Sequence, residues 1–114
     1  MLTFMLPSNP GKRGFGFCRI DNELKELQNL VGGYIEVLPL KDNLVMIIDE
    51  EGKIKNRQYN ELATTILQHY VKTQDFIVGH AILCCTNGEE FENFDNSKYY
   101  QEVMQVLKER LSWV

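Results

Sequence analysis

A chain of 114 residues, 44% apolar and 25% charged, is one domain's worth of sequence with enough apolar content for a core, which excludes a wholly disordered chain. A formal net charge of −4 excludes a general nucleic-acid binder, whose footprint is a basic face. It leaves room for a local basic pocket, or for an acidic surface that docks on a basic partner.

Residues 1–6 (MLTFML) read as a first strand. They lack the basic n-region of a signal peptide and meet Pro7 at once. No apolar run approaches bilayer-spanning length, so the expected location is the cytoplasm and no membrane partner is expected. Residues 7–14, with two prolines and two glycines, read as a flexible loop. Residues 15–20 (FGFCRI) alternate as a second strand, with Phe15, Phe17 and Arg19 on one face. Asp21 is placed to cap a helix in which Leu24, Leu27, Leu30 and Val31 recur at helical spacing. Gly32 and Gly33 stop that helix.

Residues 34–40 and 44–49 follow as strands joined by Lys41, Asp42 and Asn43. Pro39 marks an edge or a strand end, and the unbroken apolar run of the second strand marks one covered on both faces. Asp49-Glu50-Glu51-Gly52-Lys53 predicts a hairpin with Gly52 at positive φ, followed by a short return strand from Lys53 to Arg57. A helix over 60–72 carries Leu62, Ala63, Ile66, Leu67, Tyr70 and Val71 on one stripe. Residues 75–86 read as one long or broken strand with Gly79 as a bulge or close-approach point, and 87–94 as an acidic loop. The last helix runs from Asp95 to Leu111, with Tyr100, Met104, Leu107 and Leu111 buried and Trp113 folded back onto it. Strands mix with helices without strict βαβ alternation. The expected fold is therefore α+β, a mixed or mainly antiparallel sheet packed with about three helices, in a single domain over residues 1–114.

Few residues suggest chemistry. Cys18, Cys84 and Cys85 are an odd set that fits free thiols in a reducing compartment. The adjacent pair points to opposite faces of a strand and suits neither a disulfide nor a metal clip. His69 and His80 belong to no zinc spacing, so neither metal nor cofactor is expected. His80 shares a strand face with Cys84, the one local nucleophile–base pair, yet nothing marks an activated thiolate. Glu50–Glu51 and Glu89–Glu90 sit in turns, where acids stay solvated. Gly32-Gly33 follows a helix and precedes a strand, the reverse of a dinucleotide fingerprint. Gly11-Lys12-Arg13-Gly14 lacks the full phosphate-loop pattern and offers at most a loose anion site.

The segment 52–60 (GKIKNRQYN) is the candidate ligand site. It gathers Lys53, Lys55, Asn56, Arg57, Tyr59 and Asn60 ahead of a helix N-terminus. Guanidinium, amides and a helix dipole together suit a phosphate or carboxylate. The competing reading is a polar strand and a helix cap.

Four stretches occur in order: LQNLVGGYIEV at 27–37, DEEGKIK at 49–55, NELAT at 60–64 and DFIVGHAIL at 75–83. As a set they resemble a family of small domains without an assigned function, found on phages, plasmids and integrative elements of bacteria. The resemblance implies an accessory gene and a bacterial cytoplasm. Small accessory proteins of that kind often counter host immunity by sequestering a nucleotide signal or occupying a defence protein. The resemblance supplies no catalytic residues. The expected function is a non-enzymatic, anti-defence protein that binds and sequesters a small, nucleotide-like anion, as a homo-oligomer whose subunit interfaces help build the pocket. The alternative is an acidic inhibitor of a host defence protein or nucleic-acid enzyme, presenting the acids of 49–51 and 89–95. A small hydrolase using Cys84 or His80 is the third reading.

Overall fold

Two strands form the middle of the molecule because they are apolar at almost every position. In the computed structural model, which describes residues 1–11 and 14–111, β4 (Leu44–Asp49) pairs antiparallel with β5 (Ala81–Thr86), setting Leu44 opposite Cys85 and Ile47 opposite Ile82. Alternation divides their side chains between two cores. Leu44, Met46, Leu83 and Cys85 enter one, and Val45, Ile47, Ile82 and Cys84 the other. Burial on both faces is what the unbroken apolar run predicts.

The remaining strands extend this pair outward. β1 (Leu2–Leu6) lies beside β5, β2 (Gly16–Arg19) beside β1, and β3 (Ile35–Lys41) beside β4, giving the order β2-β1-β5-β4-β3. A two-residue strand, β6 (Phe91–Glu92), pairs with the end of β5 inside the segment expected to be a loop. Every pairing is antiparallel, and the described residues form a six-stranded sheet. Pro39 lies on the edge strand β3, where the register shifts between Pro39 and Lys41.

The helices cover the two faces unequally. α2 (Glu61–Tyr70) and α3 (Asn96–Arg110) lie on one face, where Leu62, Ile66, Tyr99 and Val103 join Phe4, Leu6, Met46 and Leu83. α1 (Leu24–Val31) lies on the other and seats Leu27 and Val31 on Met5, Val45, Ile47 and Ile82. Each fully buried Leu or Ile contributes about 1.5–3 kcal/mol. The architecture is the expected α+β fold, with three helices among the described residues.

The structure corrects four local expectations and decides a fifth. Asp21 does not cap α1: Glu23 is the N-cap without a side-chain bond, and the Asp21 carbonyl accepts the Glu23 N–H. Gly52 is not at positive φ and no strand follows it; 51–56 is a coil of turns in which Asn56 takes the positive φ of 57°. The chain coils there because the Asp49 carboxylate accepts the Glu51 N–H and turns it back. Of the two readings of 75–86 the broken strand holds: β5 begins at Ala81, and Gly79, at φ 75°, breaks the extended segment before it. Residues 91–92 are a strand because β1 ends beside β5 and leaves room there: Phe94 N–H donates to the Leu2 carbonyl. α3 buries Tyr99, Val103, Val106 and Leu107, not Tyr100. Its phase is set by Tyr99, whose hydroxyl donates to Asn43 Oδ1, while Tyr100 stacks on Phe17 of β2. The basic loop at Lys12 and Arg13 and the fold-back of Trp113 lie outside the described residues.

Candidate functional site: a cationic pair on a buried carboxylate

Asp49 ends β4 with its side chain 0% exposed. A buried carboxylate needs partners, and the coil after it supplies them. Oδ1 accepts the Glu51 N–H at 2.9 Å, and Oδ2 accepts Arg57 Nε at 2.9 Å and Lys55 Nζ at 3.1 Å. Burial alone would raise the Asp49 pKa. The Glu51 N–H, then Arg57 and Lys55, outweigh it and hold the carboxyl below its usual range. Two cations thus converge on one anion, and both are about one-third exposed.

The same cations close over the end of α1. Arg57 Nη2 donates to the Gly32 carbonyl at 2.8 Å and Lys55 Nζ to it at 3.3 Å. Gly32 is the left-handed C-cap of α1, at φ 90°. A Cβ there would lie 2.6 Å from Arg57 Nη2; one on Gly33 would lie 2.8 Å from Asp49 Oδ1; one on Gly79 would lie 2.9 Å from Arg57 Cδ. Real contacts are never that close, so the missing side chains are what let the cluster form. Sequence reasoning assigned Gly32-Gly33 only a helix stop and read Asp49 as an exposed turn acid, missing its burial and its pairing with Lys55 and Arg57. The available signal was an acid at the end of a fully buried strand followed by cations at alternate positions.

The six predicted site residues separate into different surroundings. Lys55 and Arg57 come together on Asp49. Lys53 pairs with Asp75 instead, and its ammonium lies 4.2 Å from the centre of the Phe76 ring. Asn56 holds the exposed turn. Tyr59 is exposed, bridges to Val78 and sits 6.2 Å from Phe76. Asn60 is buried: Oδ1 accepts the Ala63 N–H and caps α2, and Nδ2 donates to the carbonyls of Leu6 and Gly79, each at 2.7 Å. Its contacts join β1, α2 and the segment just before β5.

Beside the cationic pair lies an open hollow of about 420 Å³, floored by Gly32 and Gly33 and walled by Gln28, Asn29, Tyr34, Glu51 and Lys55. The volume falls within the range of small-molecule sites. Tyr34, which lines the hollow, is 67% exposed. The arrangement offers a cation, an aromatic platform, side-chain amides and one carboxylate acceptor.

The other candidate groups are placed differently. Cys84 and Cys85 are buried in opposite cores. Burial pushes Cys84 up to about 12 and also raises Cys85, which suppresses the thiolate. His80 Nδ1 accepts the Ser8 N–H at 3.2 Å. Among the described residues, no cluster of His, Cys, Asp and Glu is arranged to hold a metal, and no helix is long and apolar enough to cross a membrane. The acidic face expected at 49–51 reduces to Glu50 and Glu51, because Asp49 is internal; in the other patch Asp95 caps α3.

The family model described as Domain of unknown function (DUF3846) matches residues 3–105, and the chain belongs to that family. No curated protein and no solved structure matches the chain.

Proposed function

We propose that this chain is a non-enzymatic binding protein that captures a small, nucleotide-like anion in the hollow beside Lys55 and Arg57. The observation that supports this reading is the fixing of two cations on one buried carboxylate. Their positions are set before any ligand arrives, which lowers the ordering cost of binding. One positive charge is left uncompensated by Asp49. The C-terminal end of a helix is normally a negative pole, but here both cations already occupy the Gly32 carbonyl. The neighbouring groups suit more than a bare phosphate: Tyr34 can stack under a base, Gln28 and Asn29 can meet its edge, and Glu51 can accept from a ribose hydroxyl.

The further reading is a trap encoded by a phage or mobile element and acting in the cytoplasm of a bacterial host, where it lowers the free concentration of a signalling nucleotide. That part rests on the sequence resemblance. A trap needs no catalytic group, and the two thiols of β5 are held protonated by burial.

The test is calorimetric titration with linear and cyclic nucleotides. One class binds saturably, and Tyr34→Ala and Lys55→Ala each weaken it about tenfold, the worth of one stacking or charge-assisted contact. Tyr34→Ala leaves the melting temperature unchanged because the side chain is exposed. Reversing Arg57 is the wrong test, since it sets a second carboxylate against buried Asp49. A panel in which nothing binds, or variants that bind like the wild type, refutes the proposal.

A further inference from the structure

The sheet ends on one side in a strand that carries the hydrogen-bonding pattern of a self-pairing edge. Glu50 N–H donates to the Tyr34 carbonyl, and Ile35 stands opposite Asp49. Antiparallel alternation then turns Tyr34, Glu36 and Leu38 toward β4, and leaves the N–H and C=O groups of Ile35 and Val37 and the Pro39 carbonyl pointing outward. Pro39 sits at a position whose N–H β4 would not use. We infer that β3 is a homodimerisation edge, at which two copies of this chain pair β3 to β3, antiparallel, across a two-fold axis at Val37.

The pattern is self-complementary at that axis. Val37 N–H of each copy meets the Val37 carbonyl of the other, and Ile35 N–H meets the Pro39 carbonyl of the second copy, so both outward donors find acceptors. The proline faces a position where only an acceptor is needed. Charge selects the same register. An axis one residue earlier would set Glu36 against Glu36 of the second copy, a repulsive cross-strand pair, whereas the axis at Val37 sets Glu36 opposite Leu38.

The flanks of the edge carry exposed apolar side chains among charged ones. Ile54 is 82% exposed and Val37 is 38% exposed. Ile54 lines a groove of about 120 Å³ with Leu38, Ile48 and Phe76; Glu36 shares that lining, and Asp49, Glu50, Lys53 and Asp75 lie on the same groove. A strand added outside β3 sets its even-numbered side chains next to Glu36 and Leu38, at the side of this groove. The opposite edge is a weaker candidate: β2 has four residues, starts at Gly16 with φ 106° and carries an exposed Arg19. Pairing at β3 makes two six-stranded sheets continuous and removes one exposed edge from each copy.

Sedimentation velocity and native mass spectrometry of the full chain across the micromolar range test the inference. The wild type is a dimer that dissociates on dilution. Val37→Pro removes an N–H that β4 does not use, so the circular dichroism is retained while dimerisation weakens at least about tenfold, the worth of two symmetry-related hydrogen bonds. Ile54→Lys weakens the dimer without touching the monomer core. In hydrogen exchange, the Ile35 and Val37 amides are protected in proportion to dimer content. Should Val37→Pro fail to fold, Ile54→Lys and the two amides decide. A wild type that stays monomeric overturns the inference, as does pairing only with a strand of another protein. A dimer in which Ile54→Lys has no effect and both amides exchange freely overturns it too.

Discussion

Replacing Asp49 with Asn removes one negative charge from the point where two cations converge. The amide keeps an oxygen for the Glu51 N–H, which Oδ1 accepts at 2.9 Å. Its NH₂ then stands at Oδ2, where Arg57 Nε and Lys55 Nζ both donate, so donors face donors. Two charge-assisted hydrogen bonds are lost, each worth about 1.5–3 kcal/mol. Because both cations are about one-third exposed, they regain hydration, and screening trims the loss. The expected net cost is about 2–3 kcal/mol, or about 10 °C in melting temperature for a domain of this size. Thermal and urea denaturation at neutral and acid pH check it. The folded-state pKa of Asp49 is lowered, so its contribution is complete above the unfolded value of about 3.9 and is lost as pH falls through the folded value. The gap between wild type and Asp49→Asn therefore narrows on acidification below about pH 4. A variant within about 0.5 kcal/mol of wild type at neutral pH, or a gap unmoved by acid, refutes the reasoning.

Other substitutions probe the same assembly. Gly79→Ala combines a φ of 75° with a Cβ 2.9 Å from Arg57 Cδ, and costs about 1–3 kcal/mol in urea denaturation; a neutral result contradicts the close approach. Asn60→Ala removes the α2 cap and strands the buried carbonyls of Leu6 and Gly79, for a loss of about 3 kcal/mol, measured the same way. Thiol labelling of the native protein modifies Cys18, which is half-buried, while Cys84 and Cys85 react only after unfolding; rapid labelling of all three would disprove their burial.

The parts of this fold that were legible in the sequence are those that residue type or period decides locally. The apolar run of β4 announced burial on both faces, Pro39 announced an edge, and Gly79 announced a close approach. The parts that were not legible depend on which side chains pair with one another. The coil at 51–56 read as a hairpin because its cause is the side chain of Asp49, paired to Lys55 and Arg57. Likewise the Tyr100 and Tyr99 stripes of α3 are neighbours on the helix, and only the contact of Tyr99 with Asn43 chooses between them. At the site, Lys55 and Arg57 were recognisable as cations ahead of a helix. Their grouping with Gly32 spans 23 and 25 residues of chain, which no local pattern encodes. Asn60 looked like a ligand contact or a cap, and its carboxamide is fully engaged with Leu6, Ala63 and Gly79.

The most direct test of the anion-binding proposal is a ¹⁵N-resolved NMR titration of the whole chain with the nucleotide panel. The account predicts saturable shifts confined to the amides of Gly32, Gly33, Tyr34, Glu51, Lys55 and Arg57. A folded protein that shows no saturable shift, or one whose shifts fall elsewhere, contradicts it.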